Sequence, residues 1–246
     1  TIPGHITSLE NFSKTDPAKI FSANSTTLVS GNQQVRTVEH LLATFSIHGL
    51  TNVLIKVDDE IPNIDGSAKD FNDLIAKVGI VEQQAPAKVA VIRKKIGVGK
   101  EKSHEKHLYV EPFKGFEIVM RVDYPQPIGE QMFTFNPEKG SFSEEIAPAR
   151  SFNTFENIDL AQRLGKVGSG YLNSHIIMHE GKVINTELRY PDEFVRHKVL
   201  DLLGDLYLLG LSIRGRVVAN MTSHGSNQAL VKRLYQAIQQ SSGAGQ

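Results

Sequence analysis

The densest chemical signal in the chain is the run Phe194-Val195-Arg196-His197-Lys198-Val199-Leu200-Asp201-Leu202-Leu203-Gly204-Asp205. At about 100° per residue in a helix, His197, Asp201 and Asp205 fall at about 0°, 40° and 80°, so one imidazole and two carboxylates share a narrow stripe. Val199, Leu200, Leu202, Leu203, Leu206 and Leu209 occupy the rest of the circumference. That apolar surface predicts packing on most sides and a polar stripe that is nearly enclosed. Burying such groups costs several kcal/mol unless they are paired or bound to a cation. Two partners meet the demand: an ordinary i,i+4 pairing of His197 with Asp201, worth only ~0.2–0.5 kcal/mol, or a metal ion. The helix alone leaves both open.

A second cluster lies in Val38-Glu39-His40-Leu41-Leu42, where Glu39 and His40 are adjacent inside an otherwise apolar helix. Alone, it reads as a core histidine beside a solvated glutamate. Joined to the first helix, His40, His197 and Asp201 make two imidazoles and one carboxylate, the open ligand set of catalytic zinc hydrolases. The same set also serves non-haem iron, and Glu39 beside it favours hydrolysis. His224 stands in the polar turn Thr222-Ser223-His224-Gly225-Ser226-Asn227. It reads either as a surface histidine or as a group oriented by Asp205, one helical turn beyond Asp201. His5, His48, His104, His107, His175 and His179 show no metal-type pairing beyond His104 with His107, which sit in a charged loop. Gly165 to Gly170, GKVGSG, lacks the closing Lys-Ser/Thr of a phosphate loop. Gly204 and Gly210 read as packing and helix-stop residues, and Arg93-Lys94-Lys95 as a solvated strand end.

Composition narrows the classes further. The chain has 246 residues, 27 Lys+Arg against 27 Asp+Glu, and no cysteine. Zero net charge gives no general attraction to nucleic acid or anionic lipid. Without cysteine there is no disulfide framework, no thiol nucleophile and no Cys-ligated metal. No apolar run approaches the ~20 residues that span a bilayer, and Thr1 to Glu10 lack the pattern of a signal peptide. The expectation is a cytoplasmic protein with no integral membrane segment and no nucleic-acid partner.

The elements that must carry these groups follow from periodicity. Val38 to Phe45 and Asp70 to Val78 have helical spacing, the second with a stripe of Phe71, Leu74, Ile75 and Val78. Val53 to Val57 reads as a strand between them. The polar segment Glu82 to Lys88 reads as a linker, which gives a first α+β domain over 1–82, a linker over 83–88, a second α+β domain over 89–240 and a flexible tail over 241–246. In the second domain Val89 to Ile96, Lys106 to Val110, Phe116 to Tyr124 and Gln131 to Phe135 read as strands of a mostly antiparallel sheet. A helix near Thr154 to Leu164, a strand at His175 to His179, a long helix over Pro191 to Leu209, a strand at Gly215 to Ala219 and a helix over Asn227 to Gln239 complete an α+β chain.

Several motifs occur together and in order: Thr37-Val38-Glu39-His40-Leu41-Leu42, Glu60 to Ala68 (EIPNIDGSA), Ala149-Arg150-Ser151-Phe152, and Leu188-Arg189-Tyr190 through His197-Lys198 to Gly204-Asp205-Leu206-Tyr207-Leu208. The set resembles the zinc-dependent UDP-3-O-acyl-N-acetylglucosamine deacetylases of lipid A biosynthesis, over about Thr26 to Leu234. The resemblance implies two α/β-sandwich domains packed face to face with the metal site at their interface. It implies zinc on His40, His197 and Asp201, with Glu39 as general base and His224 as general acid. Asp205 would support the catalytic histidine, the Ser151 hydroxyl would help hold the oxyanion where the family usually has threonine, and Lys198 and Phe152 would contact substrate. The implied partner is an acylated UDP-N-acetylglucosamine, and the implied state a monomer. The chain departs from the family in three places. No Gly-Leu-His-Thr-Gly stretch opens it, so the first domain is expected to be short of its leading strands. Gly168-Ser169-Gly170-Tyr171 replaces a Gly-Gly-Ser stretch, and Ser223 to Gln228 replaces Gly-His-Ala-Leu-Asn-Asn. A non-catalytic relative that binds an acyl-sugar nucleotide or a protein partner is the alternative.

Overall fold

A computed structural model of the chain describes residues 1–10, 25–99, 105–165 and 172–243, with side chains to residue 240. His104, the Gly168–Tyr171 stretch and most of the expected tail lie outside the described residues. After a 3-10 turn at Ile6–Ser8, the described elements continue with a short hairpin, β1 (Leu28–Ser30) against β2 (Gln33–Val35), followed by α1 (Glu39–Ile47) and α2 (Lys69–Val78). Next come β3 (Val89–Val91), β4 (Ile96–Gly99), β5 (His107–Glu111), β6 (Phe116–Tyr124) and β7 (Gly129–Phe135). A five-residue π-helical turn at Phe142–Ile146 leads to β8 (Phe152–Thr154), α3 (Phe155–Arg163), β9 (Ile176–His179) and β10 (Lys182–Val183). The long α4 (Glu193–Tyr207), β11 (Ser212–Asn220) and α5 (His224–Gly243) close the chain. The class is α+β, as the run of strands followed by helices predicts.

The main sheet runs β4-β5-β11-β6-β7. Strand β11, last in the chain, inserts between β5 and β6, antiparallel to the first and parallel to the second, and its start also pairs in parallel with β3. The expected single strand Val89 to Ile96 is two short ones. The charged run Arg93-Lys94-Lys95 interrupts it, and the chain changes partner there, from β11 to β5. A smaller sheet, β10-β9-β8, pairs β8 with β9 in parallel and supplies Phe152.

One expectation fails in the first part of the chain. Val53 to Val57 is not a strand: no described strand pairs with it, and Leu54 is 77% exposed. β-branched residues alone do not make a strand, because a ladder needs a second backbone. The α2 helix forms as expected, with half of its stripe covered: Phe71 and Ile75 pack against the core, while Leu74 and Val78 are exposed. Its buried residue Asn72 reaches His48 Nε2 at 3.0 Å and donates to Ser143 Oγ at 3.0 Å, so polar contacts join the apolar ones on the face that meets the rest of the protein.

Residues 83–88 are exposed and without regular structure. One buried cluster nonetheless runs from Val38, Leu42 and Phe45 through Phe194, Leu200 and Leu203 to Ile118, Val217 and Leu230. Helix α4 lies within this cluster, buried at nearly every position from Glu193 to Leu206. Its apolar circumference has the predicted effect: the polar stripe is enclosed, with His197, Asp201 and Asp205 all buried.

Candidate active site

Helices α1 and α4 cross in direct backbone contact at Gly204. A Cβ built there would lie 2.0 Å from the carbonyl oxygen of Glu39, far inside van der Waals range. The missing side chain therefore sets how closely the first turn of α1 approaches the Asp201–Asp205 segment. In the structure it brings His40 Nε2 to 3.6 Å from Asp201 Oδ1, while His197 Nε2 lies 3.3 Å from the same oxygen. Gly204→Ala should force α1 away by an appreciable fraction of an ångström, with about 1–3 kcal/mol lost to overpacking. Since a 1 Å misplacement can cost ~100-fold in rate, kcat should fall by up to that factor together with a lower Tm. Unchanged kcat and Tm would show that the crossing tolerates a methyl group.

The chemistry of the three donors is specific. The Nδ1–H of His197 donates to the Ala149 carbonyl at 3.1 Å, because a carbonyl can only accept. That fixes the proton on Nδ1 and leaves a lone pair on Nε2, aimed at an Asp201 oxygen. Burial depresses the His197 imidazole to about 4, against the opposing charge of Asp201, so it is neutral at neutral pH. Asp201 offers Oδ1 to both imidazoles and accepts from Lys198 Nζ on Oδ2 at 2.7 Å. His40, His197 and Asp201 are all buried, with one ligand atom from each within 4.8 Å of the others. Lone pairs converging at 3.3 and 3.6 Å match the ~3.3 Å edge of a tetrahedral shell with ~2.0–2.1 Å bonds. The donor set therefore fits a divalent cation, and the outer hydrogen bond that His197 donates to the Ala149 carbonyl is the usual means of orienting such a ligand.

Beside these donors lies a second group. Glu39, in the first turn of α1, accepts the Thr26 N–H on Oε2 at 2.9 Å, and its Oε1 faces His224 Nε2 at 3.8 Å. Burial holds the Glu39 carboxyl above its usual range, against the pull of His224 and His40. His224 is the first residue of α5 and not part of a preceding turn. Ser223 and Ser226 bond to each other's backbone N–H groups, which starts the helix three residues before the expected Asn227. Its Nδ1 donates to Asp205 Oδ2 at 2.8 Å. Burial opposes the imidazolium, but the carboxylates of Asp205, Asp201 and Glu39 outweigh it and push His224 up to about 9. At neutral pH the site thus holds a buried carboxyl facing a protonated imidazole.

Ser151 and Phe152 complete the wall. Arg150, next to Ser151, is tied to the fully buried Glu193 at the start of α4 through Nε at 2.8 Å. Ser151 donates its N–H to the Gly66 carbonyl at 2.8 Å, and its Oγ lies 3.1 Å from His197 Nε2. Gly66, at φ 85°, leaves no room for a side chain: a Cβ would fall 1.9 Å from the Ser174 carbonyl oxygen. Phe152 stands edge-on to Phe194 at 5.1 Å and to His197 at 6.0 Å. A cleft of about 470 Å³ opens over Phe152, Met178, His197, Lys198, Asp201 and His224.

The sequence model of the LpxC family, UDP-3-O-acyl N-acetylglycosamine deacetylase, matches residues 5–236. The chain belongs to the LpxC family. Among its LpxC relatives, a UDP-3-O-acyl-N-acetylglucosamine deacetylase of Teredinibacter turnerae is 40% identical over 215 residues, 85% of this chain and 70% of the relative. One of Thermodesulfovibrio yellowstonii is 37% identical over 220 residues, 89% of this chain and 74% of the relative. One of Helicobacter hepaticus is 36% identical over 215 residues, 85% and 70% of the two chains.

All nine residues singled out in the sequence of this LpxC chain lie around one centre: Glu39, His40, Ser151, Phe152, His197, Lys198, Asp201, Asp205 and His224. Lys198 is buried, donates to Asp201 Oδ2, and lines the cleft beside it. Reading the sequence missed Thr26, the Ala149 carbonyl and Asn227, which donates to Asp205 Oδ2 at 2.8 Å. Backbone carbonyls carry no sequence signal, and Thr26 sits outside every periodic segment. No helix among the described residues is long and apolar enough to cross a membrane.

Proposed function

We propose that this chain removes the N-acetyl group of UDP-3-O-acyl-N-acetylglucosamine, releasing acetate in lipid A biosynthesis, with Zn2+ held by His40, His197 and Asp201. The observation that carries the reading is the pair of facing acid–base groups, Glu39 and His224, beside three converging metal donors. Held by these three residues, a divalent cation would polarise the acetamide carbonyl and lower the pKa of water toward ~7.

The chain's own groups act at both ends of the amide. Glu39 Oε2 is occupied by the Thr26 N–H, so Oε1 is the free base that takes a proton from the attacking water. His224, charged at neutral pH and held through Nδ1 by Asp205, presents Nε2–H to the departing amine. The Ser151 hydroxyl, 3.1 Å from His197 Nε2, would donate to the developing oxyanion, and Lys198, bonded to Asp201, favours its ionised form. Tyr124, Phe152 and Met178 give the cleft an apolar side suited to the acyl chain. The division into domains 1–82 and 89–240, with the metal at their interface, belongs to the same reading. The Glu39–His224 pair favours hydrolysis over iron-oxygen chemistry and over a non-catalytic binder, neither of which needs a base and an acid in apposition.

The test is acetate release from the acylated UDP-sugar, measured with bound metal before and after chelation and after adding back Zn2+. Activity should track one bound metal per chain. Full activity in chelated, metal-free protein would end this reading, as would a metal-loaded protein that binds the substrate without turnover.

A further inference from the structure

Between the two acid–base groups lies a fully buried threonine that no motif marks. Thr26 ties itself to α1 through its backbone: its carbonyl accepts from Val38 N at 3.3 Å and its N–H donates to Glu39 Oε2 at 2.9 Å. Its side chain points the other way. Oγ1 lies 2.5 Å from Asp205 Oδ1, 3.2 Å from His224 Nδ1 and 3.2 Å from Gln228 Nε2.

The hydrogen count at this oxygen is closed. A hydroxyl has one proton and two lone pairs. Asp205 Oδ1 can only accept, so the Thr26 proton goes there, and the amide Nε2 of Gln228 can only donate, so it fills one lone pair. The second lone pair is left for His224 Nδ1, which therefore carries a hydrogen and shares it between Thr26 Oγ1 and Asp205 Oδ2. Asp205 in turn receives from Thr26 on one oxygen and from His224 and Asn227 on the other. No alternative assignment leaves these contacts without two donors or two acceptors facing each other.

We propose that Thr26 is a positioning residue for the reaction argued above. Its hydroxyl locks the Asp205 carboxylate and holds the His224 proton on Nδ1, so that Nε2 is the nitrogen turned to the amide. Its N–H occupies Glu39 Oε2 and leaves Oε1 facing His224 Nε2. One residue thus sets the relative placement of base and acid, which sit on different helices.

The experiment compares Thr26→Val, which keeps size and backbone N–H but loses the hydroxyl, with Thr26→Ser, which restores it. Thr26→Val should lower kcat about 10–100-fold, the usual cost of removing a supporting hydrogen bond, with KM within about twofold and bound metal unchanged. Thr26→Ser should recover most of that loss. In a His224→Gln background Thr26→Val should have little further effect, because both changes remove one function. Equal kcat in wild type and Thr26→Val overturns the proposal. So do a Thr26→Ser enzyme as slow as Thr26→Val and full additivity with His224→Gln, since either shows a general packing role. The wild-type chain is assayed alongside. If it releases no acetate with metal bound, the deacetylase reading fails and takes this proposal with it, whereas active wild type with unaffected Thr26→Val overturns the positioning role alone.

Discussion

Glu39→Gln should lower kcat by about 10²–10⁴, the usual contribution of a positioned general base, while leaving KM and metal content close to wild type. The substitution keeps the side chain's length, and its amide oxygen can still accept the Thr26 N–H that Oε2 accepts now. What it removes is the basic oxygen that faces His224 Nε2 at 3.8 Å. Glu39 is not among the three converging metal donors, so metal analysis should still find one ion per chain. Retention of activity within tenfold would show that another group deprotonates water. Loss of metal along with activity would show that Glu39 belongs to the ligand set.

His224→Gln should produce a second loss of similar size, about 10²–10⁴ in kcat, with a different substrate dependence. The structure holds the imidazole charged through Asp205, Asp201 and Glu39, and a neutral amide cannot supply that proton. Glutamine is preferred to alanine because its Nε2 can donate to Asp205 and limit the cost of an unpaired buried carboxylate. The loss should shrink for an ester analogue of the substrate, whose departing oxygen needs less protonation than an amine. An equal loss on ester and amide would place His224 at the oxyanion and not at the leaving group. The Gly204→Ala variant separates these chemical effects from geometry, because it moves the whole first turn of α1 and should disturb base and metal donors together.

Much of this centre was legible because it is written in helical spacing. His197, Asp201 and Asp205 recur every fourth residue inside a leucine-rich run, and local geometry alone puts them on one buried stripe. Glu39 and His40 were legible as a polar pair in an apolar helix. The failure has a physical cause. Val53 to Val57 has strand-forming residues but no partner strand among the described residues, and the α2 stripe, though helical as its spacing predicts, is covered only at Phe71 and Ile75. Periodicity reports what a segment could bury, and only its neighbours decide whether it does.

The amino-acid order by itself determined that His197, Asp201 and Asp205 share one face of α4 and that Glu39 and His40 stand together on α1, since helical spacing depends on contacts within a few residues; their roles came from the resemblance to the family. Tertiary structure decided what brings them together. Gly204 admits the Glu39 backbone, and β11 threads between β5 and β6 so that α5 delivers His224 to Asp205. Thr26 reaches a carboxylate 179 positions away in the chain. Contacts across such separations leave no local period in a sequence, because they are fixed by how closely two backbones approach and by which donors remain unpaired once they have done so.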